Sequence, residues 1–283
     1  MPIKLIALDM DGTTLRNDHL TVSRRNRRAI RNALKAGIQV VPATGRYYGG
    51  IPSSVLGIPG IRYVISSNGA CVTDIAAGKA LFKNIVPLFL SVEILSAAAE
   101  LGVYAEVYTN SRAYIQKGTS PYLARQNFAF RLIALFWRRV RVDHLAEFIR
   151  SSGAEVEKIE LLPENARQSE QMAERLAGMP LSITTSGMNS VEVTNLGSGK
   201  GKALELLCGH LGVRQEDVMA VGDNYNDLGM LTWAGTGVCM ENGDAGVKRA
   251  ADFVTARSDR DGVACAIERF ALQRAPGGQT KSV

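Results

Sequence analysis

The sequence predicts an α/β protein: an open parallel sheet flanked by helices, with an α+β module inserted into it. Three observations carry that expectation. Short apolar runs alternate with amphipathic helical stretches through the first part of the chain. Three of those runs end in small polar residues and glycine. The regular alternation then breaks near residue 84 and returns beyond Gly187. The expected division is therefore a core of residues 1–83 and 188–283 and an insert of residues 84–187.

Taken in order, Ile3–Leu8 reads as a buried parallel strand running into Asp9-Met10-Asp11-Gly12. Ser23 is placed to cap a helix that stops at Gly37. Ile38–Ala43 is the next strand, ending at Thr44-Gly45-Arg46, and Tyr63–Ser66 a third, ending at Ser67-Asn68-Gly69. In an open parallel sheet, ligands bind at the carboxyl ends of the strands. Cys71–Lys83 resembles a hairpin. In the insert, helices are expected over Leu88–Leu101, Pro121–Arg139, His144–Ser151 and Asn165–Ala177, and strands over Val103–Thr109, Glu155–Leu162 and Leu181–Ser186. The core then resumes with strand Val191–Thr194, helix Lys200–Leu211 and strand Val218–Val221, which runs into Gly222-Asp223. Pro276–Val283 reads as a frayed tail.

Composition narrows the class. No stretch approaches the roughly 18 apolar residues of a membrane span, and the amino terminus carries no basic-then-apolar signal pattern, so a cytoplasmic protein is expected. Cys71, Cys208, Cys239 and Cys265 lack the paired spacing of a zinc or dithiol site and read as small buried thiols. The net charge of +6 concentrates in Arg24–Lys35 and Arg138–Arg141, both read as solvated helix faces. No nucleic-acid motif accompanies them, and dedicated nucleic-acid binding is not expected. An overall positive field favouring anionic substrates is the simpler reading.

The chemistry lies at the strand ends. Asp9 and Asp11 stand two apart, so their side chains can share a direction; as a pair alone they equally suit a turn. Asp223 ends another strand and Asp227 follows it by one helical turn. Central placement of both strands brings four carboxylates together, which calls for a cation. An all-oxygen donor set suits Mg²⁺, and no His or Cys of zinc-site spacing is near. Thr44 and Gly45 offer a hydroxyl and an open backbone N–H to a phosphate oxygen. Lys200, at a helix start, brings positive charge, although its position alone suits a surface lysine as well. Gly197-Ser198-Gly199-Lys200-Gly201-Lys202 is not a nucleotide P-loop: the four-residue gap and the following Ser or Thr are missing.

Asp9-Met10-Asp11-Gly12-Thr13, Thr44-Gly45-Arg46, Lys200-Gly201 and Gly222-Asp223-Asn224-Tyr225-Asn226-Asp227 resemble, in order, the four motifs of the haloacid dehalogenase superfamily. Ser66–Ala70, Gly237–Met240 and Val247–Asp252 are similar to its Cof-type branch. The resemblance implies a Rossmann-like core with a mobile cap formed by the insert. It implies a Mg²⁺-dependent phosphatase acting on small phosphorylated metabolites, such as sugar phosphates or phosphorylated cofactors. Asp9 would be the nucleophile forming an aspartyl-phosphate and Asp11 the acid/base. Asp9, the Asp11 carbonyl and Asp223 would hold the metal with Asp227 in support, while Lys200, Thr44 and Asn226 would hold the phosphoryl oxygens. Phosphoryl transfer between sugar positions and a non-enzymatic phosphate-binding module are the alternatives; binding alone has no use for Asp11.

Several departures from the family pattern stand out. Pro42 precedes Ala43-Thr44, where only a strand end tolerates it; Lys202 competes with Lys200; and Glu241-Asn242-Gly243 replaces a more usual sequence at one rim. Arg46 and Asn68 are the expected contacts beyond the phosphate. Tyr108, Arg112 and Tyr114 of the insert read as ordinary surface with a possible outlook on the site. The sequence leaves the oligomeric state open.

Overall fold

The structure, a computed structural model, describes residues 2–117, 139–186 and 190–272. Its main sheet comprises β1 (Leu5–Asp9), β2 (Gln39–Ala43), β3 (Tyr63–Ser66), β4 (Cys71–Asp74), β5 (Lys79–Lys83), β12 (Val218–Gly222), β13 (Thr236–Met240) and β14 (Phe253–Thr255). Their order is β14-β13-β12-β1-β2-β3-β4-β5. Pairing is parallel from β14 to β3 and antiparallel through the β3-β4-β5 meander. The runs LIALD and VMAVG are buried at every position, as strands covered on both faces must be. That forces β1 and β12 to the centre, side by side, with Leu8 opposite Val221. Asp9 is level with Ala43 of β2, so Thr44 lies just beyond it. Pro42 is the second-last residue of β2, where a missing N–H costs least.

The helix Arg24–Lys35 packs on one face of this sheet, capped by the Ser23 hydroxyl, which accepts from the Asn26 N–H at 3.0 Å. Its arginines lie on the exposed side. On the opposite face, helix Lys200–Leu211 crosses helix Leu228–Trp233 at two glycines. A Cβ at Gly201 would sit 2.4 Å from the carbonyl carbon and oxygen of Gly229. Gly201, in the glycine-rich run after Leu196, thus serves close packing, and that packing brings Lys200 to the sheet edge.

The second sheet holds β6 (Tyr104–Thr109), β7 (Arg112–Gln116), β8 (Arg139–Val142), β9 (Val156–Leu162), β10 (Leu181–Ser186) and β11 (Ser190–Asn195). Its order is β10-β11-β9-β6-β7-β8, antiparallel except for β7 with β8. Helices Leu88–Glu100, Leu145–Ser152 and Ala166–Leu176 pack beneath it around Ile94, Val107, Ile159 and Val193. Two expectations change here. The strand expected to reopen the core, Val191–Thr194, belongs to this second sheet, where β11 pairs with both β10 and β9. Sheet membership therefore moves the return crossing from residue 187 to beyond Asn195. Period-two patterning identifies a strand but not the sheet that receives it. The second basic run is not a helix face: Arg139 opens a strand, and its guanidinium is buried against Glu106 at 2.8 Å. The helix expected over Pro121–Arg139 otherwise lies outside the described residues, as does the tail from Pro276. Among the described residues, no helix is long and apolar enough to cross a membrane.

The Gly201–Gly229 crossing is testable. Gly201→Ala should destabilise the protein by about 1–3 kcal/mol through overpacking, read as a lower melting temperature. An unchanged melting temperature would show that the two helices separate without cost.

Candidate active site

Three strand ends and one helix start meet at the carboxyl edge of the main sheet. Asp9 ends β1, and the chain then turns through Gly12, whose φ of +78° is a left-handed conformation natural to glycine. A Cβ there would also fall 2.3 Å from Oδ2 of Asp223, so this turn can carry only glycine against that carboxylate. Thr13 donates its hydroxyl to Asp223 Oδ1 at 2.9 Å, and Asn242 donates to the Gly12 carbonyl at 2.8 Å. The unusual Glu241-Asn242-Gly243 segment thus buttresses the Asp9 turn.

Lys200 is 1% exposed, with Nζ donating to Asp9 Oδ1 at 2.7 Å and to Asp227 Oδ1 at 2.6 Å. Lys202 points outward and pairs with Glu205 instead. Asp227 is fully buried, and its Oδ2 accepts from the N–H groups of Asp223 and Asn224 at 2.9 and 3.1 Å. Both of its oxygens are therefore engaged in fixing Lys200 and the Asp223 turn. Carboxylate oxygens of Asp9, Asp223 and Asp227 lie within 4.8 Å of one another.

Three carboxylates around one ammonium leave excess negative charge. Burial, with the charges of Asp227 and Asp223, holds the Asp9 carboxyl well above its ordinary range despite Lys200. Burial and Asp227 likewise push Asp223 up to about 6. Burial opposes the charge on Lys200, yet Asp227 and Asp9 overcome it and raise its pKa. An oxygen-only pair, Asp9 and Asp223, with pKa values raised by burial and by neighbouring carboxylates, fits a hard divalent cation.

Asp11 sits apart from that trio. Its carboxylate receives Arg46 through Nε at 2.8 Å and through Nη2, while Nδ1 of His19 lies 2.7 Å from Oδ1. Burial works to raise its pKa, but the hydrogen bonds from His19 and Arg46 bring it down to about 2. Arg46, expected to reach substrate, also donates to the carbonyls of His19 and Gly50. Asn68, the other expected contact, has left-handed φ and bridges Asn226, which donates to it at 3.2 Å, and Glu192, to which it donates at 2.7 Å. Thr44 is 1% exposed, its hydroxyl accepting from the Arg46 N–H at 3.2 Å.

Asp9, Asp11, Thr44, Arg46 and Asp223 line a cavity of about 200 Å³ that also includes Gly45, Asn224 and Asn226. The second sheet closes it with Tyr108, Lys158, Glu160 and Glu192. Tyr108 therefore faces the site. Tyr114 instead stacks on Phe148 with ring centroids 4.8 Å apart, and Arg112 lines a neighbouring cavity with Tyr47 and Arg139. Sequence reading placed Asn242 at one rim of the site but missed His19, Lys158, Glu160 and Glu192. His19 lies eight residues beyond Asp11 with no motif to mark it. The two glutamates and Lys158 alternate with apolar residues and read as ordinary solvated strand positions.

A family model described as haloacid dehalogenase-like hydrolase matches residues 6–267. The chain belongs to that family. Its curated relatives include phosphatase YwpJ of Bacillus subtilis (strain 168), 30% identical over 93% of this chain and 98% of that protein. They also include 5-amino-6-(5-phospho-D-ribitylamino)uracil phosphatase YcsE of the same organism, 31% identical over 95% of this chain and 96% of that one. Among solved structures, a haloacid dehalogenase-like hydrolase from B. subtilis superimposes with a TM-score of 0.85 at 29% identity, covering 94% of this chain and 99% of the other. Fold, family and relatives together make the chain an enzyme of the phosphoric monoester hydrolase class.

The raised Asp223 pKa has a definite sign. Without a cation the native state binds a proton between about pH 4 and 6 that the unfolded chain has lost, so this group's contribution to stability fades as pH rises through about 6. The melting temperature gained on adding Mg²⁺ should therefore be larger at pH 7.5 than at pH 5. In Asp223→Asn that pH-dependent gain should shrink; an equal gain in both proteins would place the cation elsewhere.

Proposed function

We propose that the protein is a Mg²⁺-dependent phosphatase of small phosphorylated metabolites, in which Asp9 is the nucleophile. The observation that carries this reading is the placement of Asp9 and Asp223 at the ends of adjacent central strands, with Lys200 Nζ 2.7 Å from Asp9 Oδ1. Magnesium would be held by Asp9, Asp223 and the Asp11 carbonyl, and would supply charge neutralisation for the carboxylates and the phosphoryl oxygens. Asp227 serves it from behind, by fixing Lys200 and the Asp223 turn.

An Asp9 oxygen attacks phosphorus, the bond to the substrate oxygen breaks, and the alcohol leaves with a proton from Asp11. Water then attacks the aspartyl-phosphate, gives a proton to Asp11, and the Asp9–phosphorus bond breaks to release phosphate. Lys200, Thr44 and Asn226 meet the phosphoryl oxygens as charge gathers there. Paired with Arg46 and His19, Asp11 is held ionised, the form that accepts a proton from water. To protonate the leaving alcohol it must first take up a proton as those contacts give way. The curated relatives support the substrate size, since one is named for a phosphorylated ribitylamino compound. The absence of a membrane-length helix among the described residues is compatible with a cytoplasmic enzyme.

Purified protein with Mg²⁺ should release phosphate from p-nitrophenyl phosphate, and a chelator should abolish the activity. Asp9→Asn should reduce kcat by about 10³-fold or more, and Lys200→Met by about 10²–10³-fold. A wild-type protein inert towards this ester and a broad metabolite panel would end the phosphatase reading.

A further inference from the structure

The wall that the second sheet turns toward Asp9 has its own charge pattern. Lys158 is 1% exposed, and its ammonium donates to Glu192 Oε1 at 2.6 Å, lies 3.7 Å from Glu160 Oε2 and sits 4.6 Å from the Tyr108 ring centroid. Glu160 accepts from the Tyr108 hydroxyl at 2.6 Å and from the Ser190 hydroxyl at 3.1 Å. Glu192 accepts from Asn68 through its other oxygen. Burial opposes the Glu192 charge, but Lys158 holds that carboxyl below its ordinary range, so it remains ionised. The Thr184 hydroxyl, at 3.5 Å, adds to Asn68 on Glu192 Oε2, whereas Oε1 of Glu192 and Oε1 of Glu160 have one partner each, Lys158 and Ser190, and keep a lone pair to offer.

We propose that this wall selects phosphomonoesters whose alcohol is neutral and rich in hydroxyls, and that Glu160 and Glu192 are the residues that recognise it. The proposal rests on the phosphatase reading and decides among the substrates that reading leaves open. Among the described residues, each cationic side chain lining the cavity already serves a carboxylate: Arg46 serves Asp11, and Lys158 serves Glu192 and Glu160. A second phosphate or a carboxylate on the substrate would meet a wall of net negative charge in a partly dry space. Hydroxyl groups, by contrast, donate to the spare lone pairs of both glutamates.

A flat aromatic leaving group fares no better. Tyr108 is the one aromatic residue among those described as lining the cavity; it is 1% exposed, with the Lys158 ammonium on its ring and the Tyr47 ring 5.1 Å away. It offers no open face for stacking. The cavity, about 200 Å³, lies below the roughly 300–1,000 Å³ of sites for drug-sized ligands. Compact polyol and sugar phosphates meet all three conditions.

The test compares esters matched in size. With wild-type protein and Mg²⁺, kcat/KM for glucose 6-phosphate or ribose 5-phosphate should exceed that for 6-phosphogluconate, fructose 1,6-bisphosphate and pyridoxal 5′-phosphate by about tenfold or more, a difference of about 1.4 kcal/mol. In Glu160→Gln, an isosteric change that spares the fold, the preference for glucose 6-phosphate over 6-phosphogluconate should fall several-fold, mainly through KM. Turnover that favours the carboxylate, bisphosphate or pyridoxal ester overturns the proposal and leaves the phosphatase reading intact. If the wild type is catalytically inert, calorimetric binding of the same esters decides: the predicted order sustains the wall's role while the phosphatase reading falls, and no binding or the reverse order overturns it.

Discussion

The ammonium of Lys200, buried between Asp9 and Asp227, is the contact on which the site's construction depends. A lone ammonium removed from water costs several kcal/mol, and so does each lone carboxylate, so the arrangement holds only as a unit. The fold meets that demand with close backbone approaches. Gly69, at φ +89°, lets the β3 turn press against Gly199, where a Cβ would lie 2.2 Å from the Gly199 carbonyl oxygen. Gly201 lets the same helix settle on its neighbour. The lysine is delivered by backbone contacts at both ends of its turn.

Asp227 carries the consequence outward. By fixing Lys200 with one oxygen and the Asp223–Asn224 N–H groups with the other, it sets the loop that presents Asn226. Asn226 meets Asn68, Asn68 meets Glu192, and Glu192 holds Lys158. Ser67 adds a second bridge between the sheets, donating to Glu157 at 2.7 Å. The Asp223–Asp227 loop and the opposing wall are thus one hydrogen-bonded system. Ser67 and Asn68 both adopt left-handed backbone conformations at the junction, a local cost that such bonding offsets.

How much of this was legible follows from what each residue's neighbours are. β1, β2, β3 and β12 read correctly because strands buried on both faces are apolar throughout and end abruptly in polar residues. The Asp9–Asp223 pairing follows once both strands are central. The second sheet was harder: β11 shows the same alternation wherever it lies, so its allegiance depends on partners distant in sequence. Lys158, Glu160 and Glu192 were invisible for the same reason, since a charged residue on an alternating strand reads as solvated until another domain covers it. Arg46 was expected at the substrate but spends its guanidinium on Asp11, a contact that depends on how the chain folds back through His19. The Gly-Lys-Gly run was noticed without its purpose, because helix proximity has no local signature.

The chain's positive net charge has little to do with its cavity. The excess lies largely on the outer face of helix Arg24–Lys35, whereas the cavity is lined, among the described residues, by five carboxylates and two cations. Exposed charges farther away than a Debye length, about 8 Å at physiological ionic strength, are largely screened. An anionic ester therefore meets the local groups once it arrives, and any overall field contributes chiefly to encounter. Those local groups are already neutralised in pairs or net negative. On the proposed reading, attraction is concentrated where Thr44, Gly45, Asn226 and the Lys200–Asp9 pair converge, and among the described residues a second negative group has no compensating partner. In the substrate preference proposed above, the same pairing that stabilises the buried charges is what discriminates by charge.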